Sequence, residues 1–171
     1  MKKVLLSLVL FLVSTCFYGQ NIKLNKEVAE VEFFFHGENV NGSLEGFDAD
    51  IQLNMSDIEK SKIKGSVKVN TINTGIKMRN KHLISSDFFH ADKYPKMKFR
   101  STKIEVHDDV IYVDGIMTIK ETEKAERFEL KVKDEEIVFT SRINTADYDV
   151  MSKNKREKTN VDITITIPKK G

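Results

Sequence analysis

The sequence predicts an all-β domain of about eight antiparallel strands, arranged as a closed barrel or as a two-sheet sandwich. Two observations support this prediction. Apolar and polar residues alternate in eight segments, and most of these segments are separated by short, turn-like stretches. Short connections favour antiparallel neighbours, because parallel strands need long crossovers. A closed barrel would leave no exposed sheet edge, and its eight strands would enclose side chains or one small ligand.

Each alternating segment has one apolar face and one polar face, as a half-buried strand requires. In chain order the predicted strands are 29–35, 47–55, 63–69, 97–101, 111–119, 128–132, 137–143 and 161–167. Turns are expected between them at 37–42, 57–60, 108–109, 120–126 and 134–136, where Gly, Asp, Glu, Lys and Asn predominate.

Two stretches do not alternate. The first, 74–94, has helical spacing in part, and it predicts one or two short helices from about 77 to 89, ending near Tyr94-Pro95. We expect this insertion to cap one mouth of the barrel. The second stretch, 144–160, is polar, and it predicts either a mobile loop or a short helix. Its basic run at 153–158 is interpreted either as a solvated loop or as a contact for an anionic headgroup.

The N-terminus has the layout of a secretory signal peptide. Lys2 and Lys3 precede an apolar run at 4–13, which is too short to cross a bilayer comfortably. We predict a signal peptide at 1–19, a single domain at 20–171, and a periplasmic or secreted bacterial protein. Cys16 resembles a lipoprotein cysteine, but Thr15 precedes it where Gly, Ala or Ser is usual, so a lipoprotein is not expected.

The charged residues and the residue types used in catalysis exclude several classes of function. The chain has 28 Lys+Arg and 26 Asp+Glu, so removing Lys2 and Lys3 leaves no net charge and no overall attraction to nucleic acid or to an anionic membrane, with a local basic patch left open. After residue 19 there is no cysteine, which excludes disulfides and thiolate catalysis. The four histidines lack a metal-ligand spacing, and no strained Ser-containing turn or phosphate-binding glycine loop occurs. Neither an enzyme nor a metal site is predicted.

One stretch, 71–102, resembles the signature of the YceI-like family. The matching residues are Thr71, Thr74, Gly75, Arg79, His82, Leu83, Ser85, Asp87, Phe88, Phe89, Tyr94, Pro95, Phe99 and Ser101. Segments 31–33 and 40–47 are similar to the family's first hairpin, and 114–118 to a later strand, so the resemblance covers about 22–168. The departures are Asn80 for the family's Asp, Glu121 near a usual Gly, a reduced motif at 144–149, and the absence of Trp.

The resemblance implies a lipocalin-like barrel with a short helical cap, exported from the cytoplasm. It further implies an isoprenoid, quinone or similar lipid along the barrel axis, with no other cofactor. The inward parity of the strands is independently apolar, and its predicted ligand-binding residues are Val31, Phe33, Phe35, Phe47, Ala49, Ile51, Val67, Phe99, Met117 and Phe139. In the cap, Arg79 and His82 are the predicted headgroup contacts. Alternatively, Arg79 and Asp87 tie the cap to the barrel.

Two functions therefore remain open. The first is a binding protein that holds a long apolar ligand in the lumen. The second is a non-enzymatic extracytoplasmic interaction module with a filled core. Small inward residues (Ala29, Ala49, Gly65 and Gly115) favour a cavity, whereas phenylalanines at 33, 35, 47, 99 and 139 could fill it. The predicted partner is an apolar small molecule or lipid, and a homodimer is left open. No nucleic acid and no transmembrane segment are expected.

Overall fold

The computed structural model describes residues 22–151, 156 and 158–170, in which nine strands form a single antiparallel sheet. The predicted signal peptide, Cys16 and most of the basic run at 153–158 lie outside the described residues. The strands are β1 (Glu30–Phe35), β2 (Val40–Leu44), β3 (Asp48–Gln52), β4 (Lys62–Lys68), β5 (Lys96–His107), β6 (Val110–Ile119), β7 (Thr122–Val132), β8 (Glu136–Asn144) and β9 (Asn160–Pro168). One helix, α1 (Lys77–Ile84), and 3₁₀ turns at Lys26–Val28, Ile58–Lys60, Val69–Thr71 and Thr145–Tyr148 complete the described elements.

The sheet curls into a barrel, which confirms the predicted all-β antiparallel architecture. Its strand order is β2-β1-β9-β8-β7-β6-β5-β4-β3, so strands that are neighbours in the chain are mostly neighbours in the sheet. The remaining pairing, β1 with β9, joins the two ends of the chain over six residue pairs. The apolar positions of the alternating segments are the positions that face the lumen.

A single bent segment closes the barrel. β2 pairs with β1, whereas β3, only a few residues later, pairs with β4, so the chain passes from one edge of the sheet to the other. Gly46 lies at the bend with φ +67°, a conformation that glycine adopts without strain. On its outer side β2 forms an isolated bridge with the segment after β4, through Ser43 and Asn73. The ammonium of Lys26 donates a hydrogen bond to the carbonyl of Ala49 in β3.

Two predicted turns were wrong, because the real turns are tighter. The region 37–42 contains the start of β2, and Asn39, with φ +57°, completes a four-residue connection between Phe35 and Val40. Likewise β7 begins at Thr122, because the β6–β7 hairpin turns in only two residues, Lys120 and Glu121. Nine strands therefore replace the predicted eight.

A bulge explains why strand β5 is longer than predicted. The alternation that predicts a strand at 97–101 ends at Ser101, where the register shifts between Ser101 and Lys103. The extra residue moves the inward face from odd to even positions, so Ile104 is buried although Phe99 also faces the lumen. In the sequence, this one-residue change of parity interrupts the alternation, and the pattern therefore predicts that the strand ends there.

The barrel has two ends, and each has its own apolar cluster. We call the end where β4 leads into α1 the cap end, and the opposite one the distal end. The cap-end cluster contains Val69, Ile72, Met97, Met117, Ile119, Ile143 and Tyr148. The distal cluster contains Leu53, Ile63, Ile104, Val113, Phe128, Leu130, Ile137 and Ile167. The ring of Phe99 packs against both clusters and joins them.

The cap is one helix that is shorter than predicted. α1 ends at Ile84 rather than near residue 89, because the hydroxyl of Ser85 donates to the carbonyl of His82 and the chain leaves the helix there. Turns then lead to β5, with His90 at φ +51°. In the stretch predicted as a loop or short helix, 144–160, the described part contains a 3₁₀ turn at Thr145–Tyr148. Within the described chain, no helix is both long enough and apolar enough to span a bilayer.

Candidate functional site

The candidate site is a cavity of about 390 Å³ in the barrel lumen, roofed by α1 and the turns that follow it. All nine strands contribute to its walls, and most of the side chains on these walls are aliphatic or aromatic. This volume lies within the roughly 300–1,000 Å³ of ordinary small-molecule sites. The arrangement is suited to an apolar ligand.

The structure brings together all ten of the predicted lumen residues, since each of them lines the cavity. Four of them are buried, namely Val31, Ala49, Met117 and Phe139. The other six keep part of their surface exposed, namely Phe33, Phe35, Phe47, Ile51, Val67 and Phe99. Their role in binding a ligand stays a prediction.

The predicted room at Gly115 does not exist, because the ring of Phe99 takes it. A Cβ on Gly115 would collide with that ring and with the carbonyl of Arg100. Phe99 also meets Phe128 edge to face, with ring centroids 4.9 Å apart. Gly65 differs, since the nearest atoms to a Cβ there belong to Phe47, Asp48 and Ala49 at 3.7–4.0 Å, an ordinary contact distance. The small residues that shape the cavity are therefore Ala49 and Gly65.

Several lining residues were not among the predicted ones. Ile163 and Ile165 lie on the inward parity of β9, so the alternation alone could have identified them. Val40 and Leu44 belong to β2, the strand hidden in a predicted turn. Other lining residues come from the cap and from the segment after β8: Leu83, Phe88, Phe89, Val150 and Met151. No periodicity marks those segments, so only the fold identifies them.

The two predicted headgroup residues both line the mouth of the cavity. Arg79 uses Nε and Nη2 to donate to Thr74, at Oγ1 and the carbonyl oxygen, each over 2.8 Å. His82 is largely exposed, stacks edge to face on Phe88 at 4.7 Å, and has Nε2 3.8 Å from Oδ2 of Asp87. Asp87 thus lies near His82, and the described contacts of Arg79 are with Thr74 rather than Asp87. These hydrogen bonds of Arg79 lie within the cap segment, and its role as a headgroup contact stays a prediction.

A network of short polar contacts holds the loop before α1. Oδ1 of Asn80 accepts from the backbone N–H and the hydroxyl of Thr74, at 2.8 and 2.6 Å. The amide of Asn80 donates to Oδ1 of Asn73 at 3.2 Å, and so does the N–H of Gly75 at 3.0 Å. Because Thr74 donates to the oxygen of Asn80, the nitrogen must face Asn73. A carboxylate at position 80 could not make that second bond.

A buried polar pair lies beside the cavity at the cap end. Tyr148 donates from its hydroxyl to Oε1 of Glu126, an inward-facing residue of β7. Burial raises the pKa of the Glu126 carboxyl above its usual value, and the hydrogen bond from Tyr148 offsets part of this shift. Burial also raises the pKa of Tyr148. Among the described residues, no three His, Cys, Asp or Glu side chains are grouped as metal ligands.

Residues 22–168 match the model of the YceI-like domain. Among curated proteins, the UPF0312 protein plu2095 of Photorhabdus laumondii is 30% identical over 78 residues, which are 46% of this chain and 41% of that protein. Protein YceI of Salmonella newport is 24% identical over 67% of this chain and 58% of its own length. The chain spans about half the length of the curated relatives it matches.

Solved structures share the fold at low sequence identity. BcnA of Burkholderia cenocepacia superposes with a TM-score of 0.74 and 17% identity, covering 85% of this chain and 99% of BcnA. A polyisoprenoid-binding domain from Saccharophagus degradans, implicated in plant cell wall breakdown, superposes with a TM-score of 0.59 and 12% identity, covering 88% of this chain and 98% of that domain.

Proposed function

This chain belongs to the YceI-like domain family, and from that membership and the shape of its lumen we propose that it binds a long apolar ligand, such as an isoprenoid or quinone-type lipid, inside the barrel. One observation carries the proposal. Six inward-facing apolar side chains around the cavity remain partly exposed, although each packs against one of the two core clusters or both. An apolar ligand would cover that surface.

Burial of the ligand's chain would supply most of the affinity. Each buried CH₂ contributes about 0.8 kcal/mol, and apolar side chains from all nine strands line the cavity. The side chains of the distal cluster, by contrast, are buried and pack against one another. The ligand would therefore occupy the part of the lumen between the cap and that cluster. The polyisoprenoid-binding domain that shares this fold is a precedent for a ligand of this chemical class.

The headgroup would lie at the mouth, beside Arg79 and His82. Nε and Nη2 of Arg79 donate to Thr74, and the remaining Nη1 group has no hydrogen-bond partner among the described residues. A guanidinium placed in this way orients an oxygen-rich headgroup by donating hydrogen bonds. Because the mouth is exposed, this contact would add orientation and little affinity.

We further propose that this protein is not an enzyme and that it acts outside the cytoplasm. The predicted signal peptide at 1–19 supports export to the periplasm or beyond. N-terminal sequencing of protein recovered from the native host should begin near Gln20. A chain that begins at Met1, or one that carries a lipid on Cys16, would contradict this assignment.

The binding proposal is tested by extraction and by titration. Mass spectrometry of an organic extract of the purified protein should reveal an apolar lipid. After delipidation, a fluorescent polyprenyl analogue should bind saturably to the parent. Ala49→Trp should lower its affinity at least about tenfold, because Ala49 is buried in the cavity wall.

Ala125→Trp is the matched control, because Ala125 is exposed on β7 and does not line the cavity. It should bind the analogue like the parent. An empty extract together with no saturable binding by the parent would reject the proposal and leave the interaction-module hypothesis.

A further inference from the structure

Positive charge is concentrated in one stretch of the chain. Residues 60–104, which include β4, the cap and most of β5, contain twelve Lys or Arg and only two Asp or Glu. The cations are Lys60, Lys62, Lys64, Lys68, Lys77, Arg79, Lys81, Lys93, Lys96, Lys98, Arg100 and Lys103, and the acids are Asp87 and Asp92. This stretch, which we call the basic side, is positively charged although the chain is neutral overall. Lys60 and Lys103 lie toward the distal end and pair with Asp57 and Glu105, whereas Lys77, Arg79 and Lys81 lie in the cap.

The cap adds exposed apolar side chains to this basic side. Met78 is 78% exposed and Ile76 is 53% exposed, although both are large and hydrophobic. On the outward surface of α1, Met78 lies beside Lys77 and Lys81, which are exposed as well. We call these four residues the cap face. Cations flanking exposed apolar side chains are typical of surfaces that bind lipid headgroups while inserting into the interface.

The loop that presents Ile76 is held in place. The contacts among Asn73, Thr74, Arg79 and Asn80 fix the turn through Gly75, whose φ is +77°. Four side chains thus order the loop that presents Ile76. Ile76 and Met78 are therefore exposed next to each other on an ordered part of the cap.

The distal end provides the contrast. It also has exposed apolar residues, Val28, Met55 and Val106, but its turns carry acids: Asp57, Glu59, Asp108, Asp109, Asp134 and Glu135. The distal end also carries lysines, among them Lys23, Lys133 and Lys169, so its acids and bases offset one another and it lacks the cations that flank the apolar side chains of the cap face. Glu38, Glu45 and Glu121 lie in turns at the cap end and reduce the attraction of an anionic surface there, and Glu121 accepts a hydrogen bond from Tyr94.

We propose that the cap face docks this protein on an anionic membrane surface, with Lys77 and Lys81 contacting lipid headgroups and Ile76 and Met78 entering the interface. The opposite surface of α1 lines the cavity through Arg79, His82 and Leu83, so docking would place the mouth against the lipid. A soluble polyanion would satisfy the cations alone and leave Ile76 and Met78 exposed, and for this reason we favour a membrane. Docking goes beyond ligand binding and does not require a filled lumen.

The test is sedimentation with vesicles, using the chain from Gln20, because the apolar run at 4–13 would bind membranes by itself. That chain contains every described element. It should bind vesicles of phosphatidylcholine with 30% phosphatidylglycerol, should not bind pure phosphatidylcholine, and should dissociate in about 1 M salt, where the Debye length is about 3 Å.

Two pairs of variants locate the surface. Lys77→Glu with Lys81→Glu should lower the partition coefficient at least about tenfold. Lys23→Glu with Lys131→Glu makes the same charge change with exposed lysines at the distal end, and should leave it within about twofold. Met78→Ser should weaken binding about threefold or more, whereas Met55→Ser at the distal end should not.

Each contrary result overturns the proposal. These results are no binding to the anionic vesicles, equal binding to both vesicle types, equal losses in the cap-face and distal charge variants, or binding to heparin that competes with vesicles and is indifferent to Met78→Ser. The last result would assign the basic side to a soluble polyanion or an acidic protein. Titration of the polyprenyl analogue is measured separately without vesicles, so a failure of docking is distinguished from a failure of lipid binding.

Discussion

The phenol of Tyr148, which has no exposed surface, donates a hydrogen bond of 2.6 Å to Oε1 of Glu126. The two residues are 22 positions apart, one in the 3₁₀ turn after β8 and the other on the inward face of β7. Tyr148 is buried and Glu126 is half-buried, so the carboxylate satisfies a phenol that has no exposed surface. The pair therefore fixes the turn after β8 against the barrel wall.

Removing the phenol oxygen should destabilise the barrel. Tyr148→Phe leaves the Glu126 carboxyl without its donor, and we expect a loss of about 1–3 kcal/mol in the free energy of unfolding, measured with urea. Tyr94→Phe is the control, since Tyr94 makes the same kind of bond to Glu121 at the surface. It should cost less than about 0.5 kcal/mol. Equal losses in the two variants would mean that the Tyr148–Glu126 hydrogen bond stabilises the fold no more than a hydrogen bond at the surface does.

The same pair predicts a dependence of stability on pH. Because burial raises the pKa of Glu126, the folded state holds its proton more tightly than the unfolded state does. Ionisation therefore costs stability as the pH rises from about 4.5, the ordinary value, through the raised pKa. Glu126→Gln, which never ionises, should gain stability relative to the parent across that window. Glu129→Gln, on the exposed face of β7, should show no such change.

An acid-side effect of opposite sign should come from Asp162. Hydrogen bonds from Arg142, and then from His36, lower the pKa of Asp162 to about 2. The stabilisation is complete above the unfolded pKa of about 3.9 and is lost as the pH falls through about 2. Asp162→Asn should lose less than about 1 kcal/mol at neutral pH, because solvent screens the pair, and the difference should vanish near pH 2.

A constant difference between parent and Asp162→Asn from pH 7 to pH 2 would show that the ion pair is not its source. Asp109→Asn, in the exposed β5–β6 turn, is the control and should match the parent throughout. Thermal melts monitored by circular dichroism at each pH suffice for the comparison.

Gly115 and Gly65 should respond differently to the same methyl group. Gly115→Ala forces the ring of Phe99 and the carbonyl of Arg100 to move, and should cost about 1–3 kcal/mol. Gly65→Ala adds a methyl at contact distance from its neighbours and should be neutral or stabilising by up to about 1 kcal/mol. Urea unfolding of both variants checks this prediction. A Gly115→Ala protein as stable as the parent would mean that Phe99 does not occupy that space.

The sequence predicts the lumen well because strand parity is a local property. Ten inward residues could be identified from alternation alone, since a strand whose opposite face is solvated must alternate. The start of β7 could not be identified, because its inward positions include Glu126. That carboxyl is tolerated only through Tyr148, a partner distant in sequence.

Two further features needed three-dimensional information. Whether Gly115 leaves room depends on the rotamer of Phe99 on the neighbouring strand, which no spacing encodes. The hydrogen-bond partner of Arg79 could not be identified either, because it is Thr74, five residues earlier, and only the conformation of the loop before α1 brings the two within reach. Polar contacts of this kind depend on loop conformation rather than on periodicity.

The bent segment that closes the barrel has a mechanical consequence. Elsewhere each pair of adjacent strands is held along four to nine paired residues, but the outer side of β2 is held to its neighbours chiefly by the Ser43–Asn73 bridge and by Thr71 contacts with Glu45. Val40 and Leu44, on that strand, line the cavity. The outer side of β2 is therefore held by fewer backbone hydrogen bonds than the paired strands are, and we expect the barrel to widen most easily along this line.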